Sequence, residues 1–323
     1  MNLEKEKKLC AKIVEKCLSI YVGDKILIEK ILSAALANGH ILFEDYPGLG
    51  KTLLAKVLAF SIGCQFSRVQ FTPDLLPADI LGTKVWKHRE ETFELMKGPI
   101  FTNILLADEI NRSPPKTQSA LLEAMEERQV TIENETHILM EPFFVMGTQN
   151  PIEFEGTFPL PEAQVDRFLL KLSTGYAETV NEEKLILLRR LGWKKDDPTR
   201  DMKPVVSPEE FLALQNKVEN SIYVDDTILE YIAQIVRETR KHPKVEVGSS
   251  PRGGLALLKA ARALALIDGR DYVIPDDVKT VVIEAIAHRL ILKPEHVLER
   301  FDEKEAVIEV INKVPVPKDY RSR

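Results

Sequence analysis

The segment Asp45-Tyr-Pro-Gly-Leu-Gly-Lys-Thr52 follows a short apolar run, His40-Ile-Leu-Phe-Glu44, and precedes a helix-like stretch from Leu53 to Ile62. Strand, glycine-bearing turn and helix in that order form the setting of a phosphate-binding loop. The residue types follow from geometry. Glycines let successive backbone N–H groups converge on phosphate oxygens at a helix N-terminus, Lys51 reaches the β and γ phosphates, and the Thr52 hydroxyl ligates Mg2+. Asp45 stands where the generic pattern has glycine. Gly-Lys-Thr also occurs by chance in surface turns, but the strand-turn-helix setting with Pro47, Gly48 and Gly50 argues against that origin here.

Further apolar runs at Phe66–Phe71, Ile104–Ala107, Phe143–Met146 and Phe168–Leu172 bring the candidate strands to five. Continuous apolar runs separated by helices predict an α/β fold with a parallel five-stranded sheet covered on both faces. Ahead of the sheet, Leu9, Ile13, Val14, Cys17 and Leu18 recur at helical spacing within Leu3–Ser19, and Asp24 suits the N-cap of a second helix ending at Asn38-Gly39. From about Tyr176 helical periodicity takes over. The polar, proline-containing bridge from Lys194 to Asp201 divides the chain into a core of residues 1–195 and a second unit of residues 196–323. Helices in the second unit are expected near Pro208–Glu219, Asp226–Thr239, Gly254–Asp268 and Pro275–Leu290, packed as a small bundle. A length of 323 residues suits two such units.

The run Ile104-Leu-Leu-Ala-Asp108-Glu109 ends in two acids, which places both carboxylates at the carboxyl edge of the sheet, where open α/β folds bind ligands. Asp108 is expected in a Mg2+ shell and Glu109 as the base that polarises an attacking water. Solvated acids at a strand end are the plainer alternative. Gly147-Thr-Gln-Asn150-Pro-Ile also follows a buried strand, so Asn150 faces the same edge, unless Asn-Pro there only forms a turn. Arg167 and Arg252 are ordinary arginines by composition.

Taken together, the collinear strings Val22-Gly23-Asp24, Asp45 to Thr52, Gln70 to Pro77, Ala107 to Glu127, Gly147 to Ile152, Pro159 to Phe168 and Ser250-Pro-Arg252 resemble a MoxR-type member of the AAA+ ATPases over nearly the whole chain. The resemblance implies a P-loop AAA+ core with a helical lid, forming a hexameric ring with ATP at subunit interfaces. By matching motif it implies that Pro47, Gly48, Leu49, Gly50, Lys51, Thr52 and Leu53 hold the nucleotide and that Tyr21, Val22 and Gly23 line the adenine pocket. Asp108 and Glu109 then form Walker B, with Asp108 and Thr52 on Mg2+. Asn150 corresponds to sensor 1, Arg167 to an arginine finger reaching a neighbouring subunit, and Arg252 to the lid's sensor 2. Residues 79–97 match an insertion ahead of Walker B. The implied work is chaperone-like remodelling, or cofactor and metal insertion, with a partner carrying a von Willebrand factor A domain.

Other readings are weaker. A GTPase base-reading motif has only the near miss Asn216-Lys-Val-Glu219, and no Leu-Ser-Gly-Gly transporter signature is present. An AAA+ loader acting on nucleic acid is disfavoured by a net charge of −6 without a basic block. A nucleotide-gated scaffold with little turnover would be expected to have lost Glu109, Asn150 or Arg167. Three cysteines cannot pair completely, and six scattered histidines show no zinc spacing. The charged start and the lack of roughly 18 consecutive apolar residues predict a cytoplasmic protein without a membrane span. Val273-Ile-Pro-Asp-Asp-Val278 reads as a structural helix entry.

Overall fold

The computed structural model describes residues 3–88, 90–151, 157–193, 197–200 and 202–320. Helices α1 (Glu4–Ile20) and α2 (Lys25–Leu36) come first, and the Asp24 side chain caps α2 by accepting from Ile26 N at 3.0 Å. There follow β1 (Ile41–Glu44), α3 (Lys51–Ser61), β2 (Phe66–Gln70), α4 (Pro77–Leu81) and a hairpin of β3 (Gly82–Lys87) and β4 (Thr92–Lys97). β5 (Ile104–Asp108) leads through a 3-10 turn at Ile110–Arg112 into α5 (Pro115–Glu127), and a second hairpin, β6 (Gln129–Ile132) and β7 (Glu135–Ile138), precedes β8 (Phe144–Gln149). α6 (Glu162–Val165), β9 (Leu170–Leu172) and α7 (Val180–Trp193) complete the first half.

β2, β5, β8, β1 and β9 lie side by side in that order, and each neighbouring pair is parallel. This is the expected five-stranded parallel sheet. Its central strands are apolar on both faces because each face is covered. One cluster holds Ile41, Phe43, Ile104, Leu106 and Met146 under α3, while Leu42, Leu105, Ala107 and Val145 face a second cluster with Leu121, Leu122 and Met125 of α5. Parallel register brings all five strand ends to one edge, with Gln70 opposite Asp108 and Glu44 opposite Gln149.

The second half contains α8 (Pro208–Ser221), α9 (Asp226–Thr239), β10 (Val245–Val247), α10 (Pro251–Ile267), α11 (Pro275–Ile286), β11 (Ile291–Leu292), α12 (Pro294–Leu298) and α13 (Glu303–Lys313). One feature departs from the expectation of helices alone, the antiparallel pair of β10 and β11, while α12 and α13 add to the four expected helices, α13 against α9 and α11. Strands of two and three residues are too short to show a period. The two hairpins of the first half were also not anticipated, and β3–β4 with α4 accounts for the segment 79–97. The expected bridge at 194–201 falls partly outside the described residues, at 194–196 and 201.

The N-terminal helices tie the halves together. α2 packs along α10, Gln215 Nε2 donates to Ala35 O at 2.7 Å, and Lys30 pairs with Glu284 at 2.6 Å. Cys10 and Cys17, on the inner face of α1, and Cys64 are buried free thiols; burial pushes each up to about 12. Pro275 opens α11 as expected, and buried Asp277 accepts from Ile274 N at 2.9 Å and pairs with Arg270 at 2.6 Å. Among the described residues, no helix is long and apolar enough to cross a membrane.

Candidate active site

The loop between β1 and α3 can make its turn because Gly48 and Gly50 sit at φ 86° and 78°, a region costly for any residue with a Cβ. Lys51, the first residue of α3, folds back and donates to the carbonyls of Tyr46 at 2.8 Å and Asp45 at 3.3 Å. Burial lowers its pKa from the usual lysine value, while the charges of Asp45, Asp108 and Glu109 act the other way. The side chain is thus a desolvated cation held inside a ring of acids.

Asp45, the departure from the generic loop, is buried and has three donors: Ser173 Oγ at 2.6 Å, Thr174 N at 2.7 Å and Thr174 Oγ1 at 3.0 Å. It fastens the loop to the end of β9, a link that glycine cannot make. Alanine removes a buried, charged acceptor from three part-buried hydrogen bonds, so Asp45→Ala is expected to lower unfolding stability by about 2 kcal/mol, read from the denaturant midpoint. Tyr21 packs beneath the same loop, and a Cβ added at Gly50 or Gly23 would lie 3.2 or 2.4 Å from its ring. Burial, with Asp45 adding, pushes the Tyr21 phenol up to about 12, although its hydrogen bond with Thr174 acts in the other direction.

Across the sheet edge, Asp108 ends β5 and Glu109 follows it. Asp108 Oδ1 accepts from Thr148 Oγ1 at 2.6 Å, and its Oδ2 accepts from Arg68 Nη2 at 2.6 Å and Nε at 3.1 Å. Glu109 sits at φ 55°, a left-handed conformation uncommon outside glycine, and its N–H donates to Thr148 Oγ1 at 2.8 Å. Its Oε2 accepts from Gln70 Nε2 at 2.9 Å and Arg112 Nη1 at 2.7 Å. Asn150 follows β8, and its carbonyl accepts from Asn111 Nδ2 at 3.3 Å.

These groups meet in one cavity of about 230 Å3, lined by Asp45, Pro47–Thr52, Arg68, Gln70, Asp108, Glu109, Thr148, Gln149 and Asn150. Of the residues the sequence assigns to the nucleotide, Tyr21, Val22, Gly23 and Leu53 lie outside this lining. Tyr21 is under the loop, and Leu53 packs on the core.

Arg167 and Arg252 are elsewhere. Arg167 precedes β9 and Arg252 begins α10, and both line a separate cavity of about 390 Å3 beside Asn38, Gly39 and His40, the residues that lead into β1. They therefore sit at the amino edge of the sheet, opposite the phosphate loop. Both reach the carboxylate of Glu126, Arg167 Nη1 at 3.1 Å and Arg252 Nη2 at 2.7 Å. The lid is clamped to the same corner by buried Arg289, which binds Asp166 Oδ1 at 2.6 Å and Phe168 O at 2.7 Å.

Residues 40–170 match the ATPase family associated with various cellular activities (AAA), and residues 237–311 match the AAA lid domain. The chain is 50% identical over 309 residues to the uncharacterized protein YeaC of Bacillus subtilis (strain 168), spanning 96% of this chain and 95% of that one. It is 42% identical over 307 residues to Chaperone MoxR1 of Mycobacterium tuberculosis, spanning 92% of this chain and 80% of the relative. A crystal structure of a candidate ATPase from Cytophaga hutchinsonii matches with a TM-score of 0.90 at 37% identity, spanning 98% of this chain and 97% of that one. The chain belongs to the MoxR family of AAA+ ATPases.

Several side chains of this MoxR-family site were missed from the sequence: Arg68, Gln70, Arg112, Thr148 and Gln149. Gln70, Arg112, Thr148 and Gln149 lie inside strings that carry the resemblance. Arg68 had only one signal, its place two residues before Gln70 on the same strand face. The donor set suits a magnesium nucleotide. Among the described residues no cluster of three or more His, Cys, Asp or Glu side chains could hold a metal, whereas Mg2+ with a nucleotide typically takes one or two carboxylates and leaves the rest of its shell to phosphates and water. The Thr52 hydroxyl and the Asp108 carboxylate meet that need in one cavity. Half-exposed Arg68 is then the group that must share Asp108 or swing away.

Proposed function

We propose that this protein hydrolyses Mg-ATP at the sheet edge and that a neighbouring copy supplies Arg167 and Arg252 to complete the site. The observation that carries the reading is the convergence of Lys51, Thr52, Asp108, Glu109 and Asn150 on one cavity while both arginines sit at the opposite edge. Gly48 and Gly50 present backbone N–H groups to the phosphates, and Lys51 exchanges its carbonyl partners Tyr46 and Asp45 for the β and γ oxygens. Mg2+ held by Thr52 and Asp108 would neutralise charge on those oxygens. Glu109 accepts the proton of the attacking water. Its described donors both fall on Oε2, which leaves Oε1 for that water. Asn150 orients the water, and Tyr21, Val22 and Gly23 flank the base beside the loop.

In this reading the core of residues 1–195 and the lid of residues 196–323 work as a hexameric ring in the cytoplasm. The work assigned is chaperone-like remodelling of a client, including cofactor or metal insertion, alongside a von Willebrand factor A domain partner; the name of the Mycobacterium relative supports the chaperone part. The test is steady-state ATP hydrolysis across a protein dilution series. Specific activity is expected to rise several-fold with concentration as subunits associate. Activity independent of concentration would sink the shared site, and ATP binding without turnover would favour a nucleotide-gated scaffold.

A further inference from the structure

Glu126 lies in the last turn of α5 and has no part in the phosphate cavity. Its two carboxylate oxygens are divided between two arginines that are 85 residues apart in sequence (252 − 167 = 85): Oε2 faces Arg167 and Oε1 faces Arg252. One arginine belongs to the core and the other to the lid. With no anion between them, two guanidinium groups this close would repel and turn into solvent, since each side chain is about a third to a half exposed.

We propose that Glu126 is a positioning residue that gathers Arg167 and Arg252 into a single phosphate-reading pair. The inference rests on the reading above that these arginines act on a neighbour's nucleotide. The way the nitrogens are used supports it. Among the described residues, Arg167 makes its contacts through Nη1 alone, to Glu126 and to Leu122 O at 3.0 Å. Arg252 reaches Glu126 through Nη2, and its Nη1 stands 4.0 Å from Asp166. Each guanidinium has five donors in a fixed plane, so each can keep its Glu126 contact and still present a further edge to phosphate oxygens. A single carboxylate between two cations also leaves the group with one net positive charge, which suits a phosphoryl group gaining negative charge.

The side chain sets how the lid and the core arrive together. Arg289 already fastens the lid to Asp166, the residue next to Arg167. Glu126 adds the last link, aligning the lid's own arginine with that of the core, so that both enter the neighbouring site in one geometry.

The test uses the full-length protein at saturating concentration, with Glu126→Gln, Arg167→Ala and the double variant measured beside wild type. Glu126→Gln keeps the shape and removes the charge; it is expected to lower kcat about tenfold with KM for ATP within twofold. In the Arg167→Ala background the same change should cost clearly less than its effect in wild type, because one of the two arginines it positions has gone. A Glu126→Gln kcat within twofold of wild type would overturn the proposal. So would a loss that recurs undiminished in the Arg167→Ala background, or one that appears in KM, since either marks a structural role. Wild-type activity in Arg167→Ala alone would instead overturn the shared-site reading beneath it.

Discussion

Arg167→Ala is expected to lower kcat by about a thousand- to a hundred-thousand-fold, the range over which an arginine supplied to a phosphoryl-transfer site acts. The side chain is half-buried at the amino edge of the sheet, paired with Glu126 and far from its own phosphate loop. Its removal should leave nucleotide affinity near wild type, because Lys51 and the glycine loop are untouched. Mixing is the sharper measurement. Arg167→Ala subunits retain a whole Glu109, and Glu109→Gln subunits retain a whole Arg167, so an equal mixture should turn over well above the residual rate of either variant alone. If Arg167→Ala hydrolyses ATP as fast as wild type, catalysis is confined to one chain.

Glu109→Gln is expected to slow turnover by about a hundred- to ten-thousand-fold, as loss of a positioned general base does. The substitution preserves size and the left-handed backbone at φ 55°, and the Thr148 contact to its N–H is a backbone contact that survives. What disappears is an oxygen able to take a proton. Binding of a fluorescent ATP analogue should stay within a few-fold of wild type, so the loss falls on kcat. If binding falls in parallel with turnover, Glu109 matters to the shape of the cavity and another group is the base.

The acids at the end of β5 were legible because Ile104–Ala107 is a short continuous apolar run, as a strand covered on both faces requires, and such a strand places whatever follows at the ligand edge. The glycine loop was legible for the same reason of local geometry. Arg68 was not, since its bond to Asp108 depends on register between strands 40 residues apart. The β3–β4 hairpin shows almost no buried position, so no alternation marked it. Asp45 was legible only as a departure from the generic loop pattern; its role rests on Ser173 and Thr174, 128 and 129 residues away in sequence. The convergence of Arg167 and Arg252 on Glu126 joins three separate segments, and no local pattern encodes it.

α5 runs from the 3-10 turn beside Glu109 to Glu126 at the far edge; at 13 residues it is about 20 Å long. If Arg167 and Arg252 act on a neighbour's nucleotide as proposed, the sheet carries a socket at one rim and a plug at the other. In the proposed assembly a head-to-tail contact, repeated, either closes into a cycle or continues as a helical filament. In such a cycle the turn between the two rims, a property of one folded chain, would set how many copies close it and would give the assembly a handed direction.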